Sequence, residues 1–522
     1  MRNERIGDDG SQRRGVPHDT RMKLPLVTLV LAACSTVLPA QKGIPHEGRA
    51  ATAANSRRPN VVVFFIDDLG YGDIGPFGGA FPTPNLDRMA KEGMRFTDFS
   101  VSSAVCSASR AALLTGCYHQ RVGIAGALGP DAQIGLHENE TTIAELCRAQ
   151  GYATACFGKW HLGHHPKFLP TRHGFDEFYG LPYSNDMWPL HPNYANLPKD
   201  AKARKQGYPS LPLLEGERVV DAEVTGSDQE LLTRTYTERA VDFVERNRER
   251  PFFLYVPHTM VHVPLFVSAE FAGKSCKGLY GDAVMEIDAS VGRILDTLRR
   301  LELDSNTLVL FTSDNGPWLP YGEHAGSAGP LREGKGTMFE GGIRTPTIAW
   351  WPGRVPAGAA CAEFAATIDV LPTIAKVVGA KLPEHKIDGL DITPLLFGEA
   401  GATSPHEVFC CWYAGGQLQA VRDARWKLHF PHGYPSLDGK PGGRGGSPAP
   451  QTTQQIGLSL FDLRNDPGER IDVAAANPDV VARLQKLADA ARAELGDTLT
   501  KTKGTGARPA GRLQDGDARL VW

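Results

Sequence analysis

The chain has 522 residues, 56 of them basic and 59 acidic, for a formal net charge of -3. That length supports a large α/β core with a smaller second domain. The near-neutral balance, with no long like-charge run, excludes a dedicated nucleic-acid binder.

Residues 1–56 read as an N-terminal extension, a signal segment and a linker. From Met22, Lys23 precedes the apolar run LPLVTLVLAACSTVLPAQ, too short to span a bilayer and patterned as a secretory signal. Two processing routes stay open. Leu31-Ala-Ala-Cys34 resembles a bacterial lipobox, which would leave a lipid anchor on Cys34, whereas a cut near Ala40 would release a soluble protein. Either route predicts export to the periplasm or outside the cell.

Asn60-VVVFFIDD is a continuous β-branched and aromatic run, the pattern of a strand buried on both faces. Thr83-PNLDRMAKEG predicts a helix capped by Thr83 and closed by Gly93. Thr142-IAELCRAQG predicts another, with a capping box from Thr142 to Glu145 and Gly151 as terminator. Strand Tyr152-ATACF follows, then a helix over 231–247 and strand Pro251-FFLYV. A helix over 283–301 carries Val284, Ile287, Val291, Ile294, Leu295 and Leu298 on one stripe, ahead of strand Thr307-LVLFTS. Strands and helices alternating at these lengths predict a mostly parallel central sheet with helices on both faces.

Beyond residue 400, Ala420-VRDARWKLHF and Leu458-SLFDL predict short antiparallel strands around a Gly/Pro-rich loop, 432–450, too poor in apolar residues to pack. Asn477-PDVVARLQKLADAARAEL predicts an amphipathic helix capped by Asn477. The expected organisation is a catalytic domain over 57–404, an α+β domain with a short antiparallel sheet over 405–496, and a tail over 497–522.

Open α/β sheets bind ligands beyond the carboxyl ends of their strands. Four predicted strands end there in polar groups: Asp67-Asp68, Gly158-Lys159-Trp160-His161, Pro257-His258 running on to His262, and Ser313-Asp314-Asn315. Asp67, Asp68, Asp314 and Asn315 offer oxygen ligands, which suit calcium or magnesium and not zinc. Lys159, His161, His262 and Lys335, the last in a glycine-rich turn, add cations and proton carriers. Together they describe a pocket for a tetrahedral oxyanion ester. Nine cysteines without a C-x-x-C pair predict one or two disulfides at most, or buried free thiols. Cys106, in Val105-CSASRAALLTG, opens a predicted helix whose N-terminus attracts anions. It reads as an apolar filler, as a thiolate lowered by Arg110 and the helix end, or as the precursor of a modified nucleophile.

These motifs resemble the formylglycine-dependent type I sulfatases of the alkaline phosphatase superfamily, from about Pro59 to Arg470. The resemblance rests on Cys106-Ser-Ala-Ser-Arg110-AALLTG, Asp67-Asp68-LGYGD, Gly151-YAT with GKWHLG, Thr312-SDNGP and Gly334-KGTMFEGGIRTP, all in the family's order. Phe168-LPTRHGFDEFYGLPYSND adds a likeness to the arylsulfatase A and N-acetylgalactosamine-6-sulfatase branches. The resemblance implies an alkaline-phosphatase-like fold and hydrolysis of aryl or carbohydrate sulfates to alcohol and sulfate. Cys106 would be oxidised to formylglycine. One hydroxyl of its gem-diol would attack sulfur, and the second would let sulfate leave by C–O cleavage.

By the same resemblance Asp67, Asp68, Asp314 and Asn315, with residue 106, would hold one calcium ion; the ligand types also permit magnesium. Arg110 and Lys159 would stabilise the ionised nucleophile, and His161 would take the proton during sulfate expulsion. Lys335 and His262 would contact the sulfate and assist the leaving oxygen. Ser184 matches a substrate-pocket serine, and His258, four residues before the family's histidine, takes a supporting place. Ala108 stands where the commoner motif has Pro, which points to a radical-SAM sulfatase-maturating enzyme as partner. Trp188, His191, Tyr194 and the loop over 198–223 would line the mouth. A phosphomonoesterase or phosphonate monoester hydrolase usually has a second metal, in whose place this chain has Lys159 and Lys335. A degenerate glycan-binding relative would be expected to lack some of Cys106, Arg110, Lys159 and His161, and all four are present.

Overall fold

In the computed structural model, residues 57–192 and 207–521 are described. The signal segment, Cys34, Tyr194 and part of the 198–223 loop lie outside them.

Strand β1 (Asn60–Ile66) is buried along its whole length. Val62, Phe64 and Ile66 enter one hydrophobic cluster, Val61, Val63 and Phe65 another, as the two-residue period of a strand between two helical layers requires. The remaining strands of the sheet are β2 (Met94–Phe96), β3 (Ala153–Phe157), β4 (Glu177–Gly180), β5 (Leu213–Glu215), β6 (Arg218–Asp221), β7 (Phe252–Val256), β8 (Thr307–Ser313), β9 (Thr347–Trp350) and β10 (Ala359–Cys361). Their order across the sheet is β10-β2-β9-β8-β1-β7-β3-β4-β5-β6. The run β8-β1-β7-β3-β4 is parallel throughout, and antiparallel pairings appear on both flanks.

Helices α1 (Pro84–Glu92), α4 (Leu232–Arg246) and α5 (Gly278–Arg300) cover one face; α2 (Cys106–Thr115), α3 (Ile143–Ala149) and α6 (Val370–Val378) cover the other. The predicted stripe of α5, from Val284 to Leu298, is buried against Phe64 and Ile66. Each such side chain contributes about 1.5–3 kcal/mol. The capping box of α3 forms as expected, Glu145 N donating to Thr142 Oγ1 and Thr142 N to Glu145 Oε2. Thr83 does not cap α1: its hydroxyl accepts from Gly75 N instead, and Asp288 of α5 takes the free amides of Asn85 and Leu86. A carboxylate from the neighbouring helix thus does what a local cap would do.

The C-terminal sheet joins β11 (Phe409–Tyr413), β12 (Gln417–Arg422), β13 (Trp426–His429) and β16 (Ser459–Asp462), all antiparallel. Helix α7 (Pro478–Leu495) packs on it through Leu484, Ala488 and Leu495. Asn477 precedes α7, but its side chain donates to Val473 O and caps nothing. The 432–450 segment also differs from the expected loop. Its first residues form β14 (His432–Ser436), paired with β15 (Thr452–Ile456), and Tyr434 packs edge-on against Phe339. The tail returns to the catalytic domain, where Gly511–Arg512 pairs with Ile134–Gly135 and Arg508 clasps Glu140. All eight described cysteines are free thiols. Among the described residues no helix is long and apolar enough to cross a membrane.

Candidate active site

The four strands that end in polar residues are adjacent in the sheet and parallel, so their carboxyl ends share one edge. β1 delivers Asp67 and Asp68, β8 delivers Asp314 and Asn315, β3 leads into Lys159 and His161, and β7 leads into His262. The turn after β3 is tight: at Gly158 (φ +142°) a Cβ would lie 2.0 Å from Pro257 O. Asp68 (φ 61°) and His161 (φ 62°) hold left-handed backbone, conformations that cost energy and cluster at functional sites.

Cys106 is the first residue of α2, and Val105 before it is extended. Its Sγ lies 3.4 Å from Asp67 Oδ1 and 3.4 Å from Lys335 Nζ. One turn on, Arg110 is fully buried and donates from Nε (3.1 Å) and Nη2 (2.8 Å) to Asp314 Oδ2. Its Nη1 donates to Lys159 O at 2.8 Å, and Nη2 lies 3.4 Å from Asp67 Oδ2. Lys159 Nζ donates to Asp67 Oδ2 and, at 3.0 Å, to Ser184 Oγ. Lys335 Nζ lies 2.7 and 2.9 Å from the two oxygens of Asp68. Three buried carboxylates therefore interlock with three buried cations around one sulfur. Cys106, Arg110, Lys159, Ser184, Lys335, Asp67, Asp68, Asp314, Asn315 and His262 are all brought together.

Burial favours the neutral form of a carboxyl, and neighbouring charges then sort the three. Asp67 would be raised by burial, but the cations around it, led by Lys159, hold it well below the usual carboxylate range. Asp68 is pushed up to about 7 by burial and by Asp67 and Asp314, against the pull of Lys335. Lys335 stays an ammonium because Asp68 and its neighbours outweigh burial. The thiol of Cys106 is raised well above its ordinary value by burial and by Asp67. Burial and Asp67 thus work against the thiolate reading of Cys106, while Arg110 is paired with Asp314 and Asp67.

His161 is held neutral by burial and by Lys159 and Arg110. Its Nε2 faces Leu128 O at 3.0 Å, which places the ring proton there, while Nδ1 is buried without a partner and keeps its lone pair. His262 is likewise pushed down, to about 3, by burial and by Lys335. Its Nδ1 donates to Val263 O at 2.6 Å and its Nε2 stands 3.6 Å from Asp68 Oδ2. His258 points away, its Nε2 bonded to Ser290 Oγ of α5. Trp188 is core, its Nε1 donating to Val224 O, and His191 is buried.

The buried Asp/Asp/Cys/His cluster is compatible with a metal site. Ligating atoms of Asp67, Asp68, Cys106 and His262 lie within 4.8 Å of one another. Asn315 Nδ2 donates to Asp68 Oδ1 at 2.7 Å while its Oδ1 is buried without a partner; exchanging the two ends of that amide turns an oxygen toward the carboxylates.

Sequence reasoning missed two neighbours. Trp318, three residues past Asn315, carries the Lys335 ammonium 4.4 Å from a ring centroid. Tyr413, from the C-terminal sheet, brings its hydroxyl to 3.6 Å from where a Cβ on Gly336, next to Lys335, would lie. Trp318 follows the SDNGP motif directly, which was a usable signal; Tyr413 is remote in sequence and gave none.

Residues 59–380 match the model of the sulfatase family, and residues 404–510 match that of the C-terminal region of aryl-sulfatase. Arylsulfatase A of Bos taurus is 40% identical over 81% of this chain and 85% of its own. N-acetylgalactosamine-6-sulfatase of Canis lupus familiaris is 38% identical over 82% and 84%. Among solved structures, the PsFucS1 sulfatase from Pseudoalteromonas sp. superposes with a TM-score of 0.76 at 29% identity, covering 87% of this chain and 92% of that one.

Proposed function

The chain belongs to the sulfatase family, and on that premise we propose how its residues hydrolyse a sulfate monoester. It is a sulfuric ester hydrolase, turning the ester and water into an alcohol and inorganic sulfate. One observation carries the reading: Lys335 Nζ and Asp67 Oδ1 both meet Cys106 Sγ at 3.4 Å inside a buried ring of matched charges. Formylglycine made from Cys106 would supply a hydrated aldehyde at this position, with one hydroxyl for attack on sulfur and a second for release of sulfate. Asp67, Asp68, Asp314 and Asn315 would hold a calcium ion, which would supply fixed positive charge for the nucleophile and the sulfate oxygens.

The chain's own groups do the rest. Arg110 orients Asp314 and Asp67 through its planar fork and so fixes the carboxylates that surround residue 106. Lys159 anchors Asp67, stabilises the ionised nucleophile and holds Ser184 at the sulfate. Lys335, an ammonium beside residue 106, contacts the sulfate and donates a proton to the leaving oxygen, and His262 contacts the sulfate next to it. His161, neutral with a bare Nδ1, accepts the proton when sulfate leaves. The substrate is an aryl or carbohydrate sulfate, in keeping with the relatives' names. Maturation of Cys106 falls to a radical-SAM enzyme, in keeping with Ala108, and the signal segment exports the chain with Cys34 lipidated or removed.

The fixed ammonium groups of Lys159 and Lys335 suit the lower charge of a sulfate monoester over a phosphate. Turnover of nitrophenyl sulfate against nitrophenyl phosphate by the matured protein tests this. Sulfate turnover exceeding phosphate turnover is expected; the reverse order would refute the assignment.

A further inference from the structure

We propose that Trp318 selects the leaving group, favouring sulfate esters whose alcohol carries an aromatic or pyranose ring; the inference rests on the sulfatase reading above. Trp318 is only half-buried, yet it touches both groups assigned to the sulfate and the leaving oxygen. Lys335 Nζ lies 4.4 Å from its ring centroid, and the His262 ring is 5.5 Å away, tilted by 46°. Each of the three cations is paired with a carboxylate, Arg110 with Asp314, Lys159 with Asp67 and Lys335 with Asp68, and Lys335 meets Trp318 as well. A ring that meets Lys335 and His262 therefore lies beside the groups assigned to the leaving oxygen, and part of it is exposed. Indole offers a flat apolar surface that pairs with aromatic rings and with the C–H face of a sugar, while its π-electrons hold the ammonium.

The platform is also rigidly backed. Tyr321 packs against it with centroids 4.8 Å apart. The Gly/Pro-rich loop of the C-terminal domain clamps the turn that follows: Gly443 N and Ala449 N both donate to Pro320 O at 2.8 Å, and Gly445 N donates to Glu323 Oε1 at 2.7 Å. Gly322 sits at φ +57° in that turn, where a Cβ would lie 2.1 Å from Gly443 O. A loop with few apolar residues thus gains a purpose in holding an aromatic side chain still at the mouth of the site.

The test uses the full matured chain, with aldehyde content equalised by mass spectrometry, and the variants Trp318→Leu, Trp318→Phe and Trp318→Tyr. Trp318→Leu should raise KM for nitrophenyl sulfate about 10-fold beyond any change in KM for an acyclic alkyl sulfate, the part common to both esters reporting the lost contact with Lys335. Inhibition by inorganic sulfate, which has no alcohol part, should weaken no more than KM for the alkyl ester rises. Trp318→Phe should restore KM to within about 3-fold of the parent. An unchanged KM in Trp318→Leu overturns the proposal, as does sulfate inhibition weakening in step with KM, because the ring would then only shape the sulfate pocket. If the Leu variant does not fold, a KM that is flat across Trp, Tyr and Phe is the overturning result. A parent protein carrying the aldehyde but turning over neither ester removes the sulfatase reading and this inference together, an outcome visible without any variant.

Discussion

Replacing Glu340 with Gln probes the buried charge cluster that ties the glycine-rich loop of Lys335 to the C-terminal sheet. Glu340 is fully buried; its Oε1 accepts from Lys427 Nζ at 2.9 Å and its Oε2 from Arg422 Nη1 at 3.2 Å. Arg422 continues to Asp98, and Lys427 to Glu469 at 3.1 Å. Burial alone would raise the Glu340 carboxyl, but Lys427 and then Arg422 and Arg344 bring it down to about 2 from an ordinary 4.5. A carboxyl lowered on folding binds its proton more readily in the unfolded chain. Its stabilisation is therefore present above pH 4.5 and is lost as pH falls toward 2. The interval converts to about 3 kcal/mol, of which about 2 kcal/mol is gone by pH 3. Urea unfolding of the parent and Glu340→Gln between pH 6 and pH 3 reads it. Near neutrality the variant should be less stable by about 3 kcal/mol, because Lys427 and Arg422 lose their counter-charge. That gap should close by about 2 kcal/mol on acidification, since Glu469 and Asp98 remain in both proteins. A gap that stays constant, or widens as pH falls, refutes the reasoning.

Cys106→Ala should abolish turnover while leaving the unfolding transition in place, because the two hydrogen bonds Sγ makes among the described residues are both long, at 3.4 Å; circular dichroism and nitrophenyl sulfate hydrolysis check both halves. Removing divalent ions with a chelator should lower the melting temperature as well as activity. Restoring calcium to about 100 times its Kd should return about 2.7 kcal/mol of stability; a melting curve indifferent to chelator contradicts a cation among Asp67, Asp68, Asp314 and Asn315. Thr142→Ala should cost about 1 kcal/mol in denaturant unfolding, with kcat unchanged, since it removes the hydroxyl that accepts from Glu145 N and donates to His173 O, while the backbone bond from Thr142 N to Glu145 Oε2 stays.

Much of this arrangement was legible because it is written in local patterns. The unbroken apolar run of β1 announces a strand with two buried faces, and the polar pairs at the ends of β1 and β8 mark the binding edge. The Thr142–Glu145 capping box is a contact between neighbours in sequence, and it forms as read. What escaped depends on partners far along the chain. Asp288 caps α1 from a helix some 200 residues away, so Thr83 only looked like the cap. The pairing of β14 with β15 is made by backbone groups that composition does not reveal. Trp188 reads as a rim residue beside polar neighbours, yet Val224 O and the core claim it. The Cys106 thiol is raised by its burial and by the nearby Asp67 carboxylate. Neither is visible in the motif.

The most direct measurement couples the chemical state of residue 106 to rate. Tryptic mass spectrometry of the peptide around Cys106, taken on preparations made with and without a sulfatase-maturating enzyme, gives the aldehyde fraction in each. The account predicts kcat for nitrophenyl sulfate proportional to that fraction and vanishing with it. Full activity in protein whose residue 106 is entirely unmodified cysteine would contradict it.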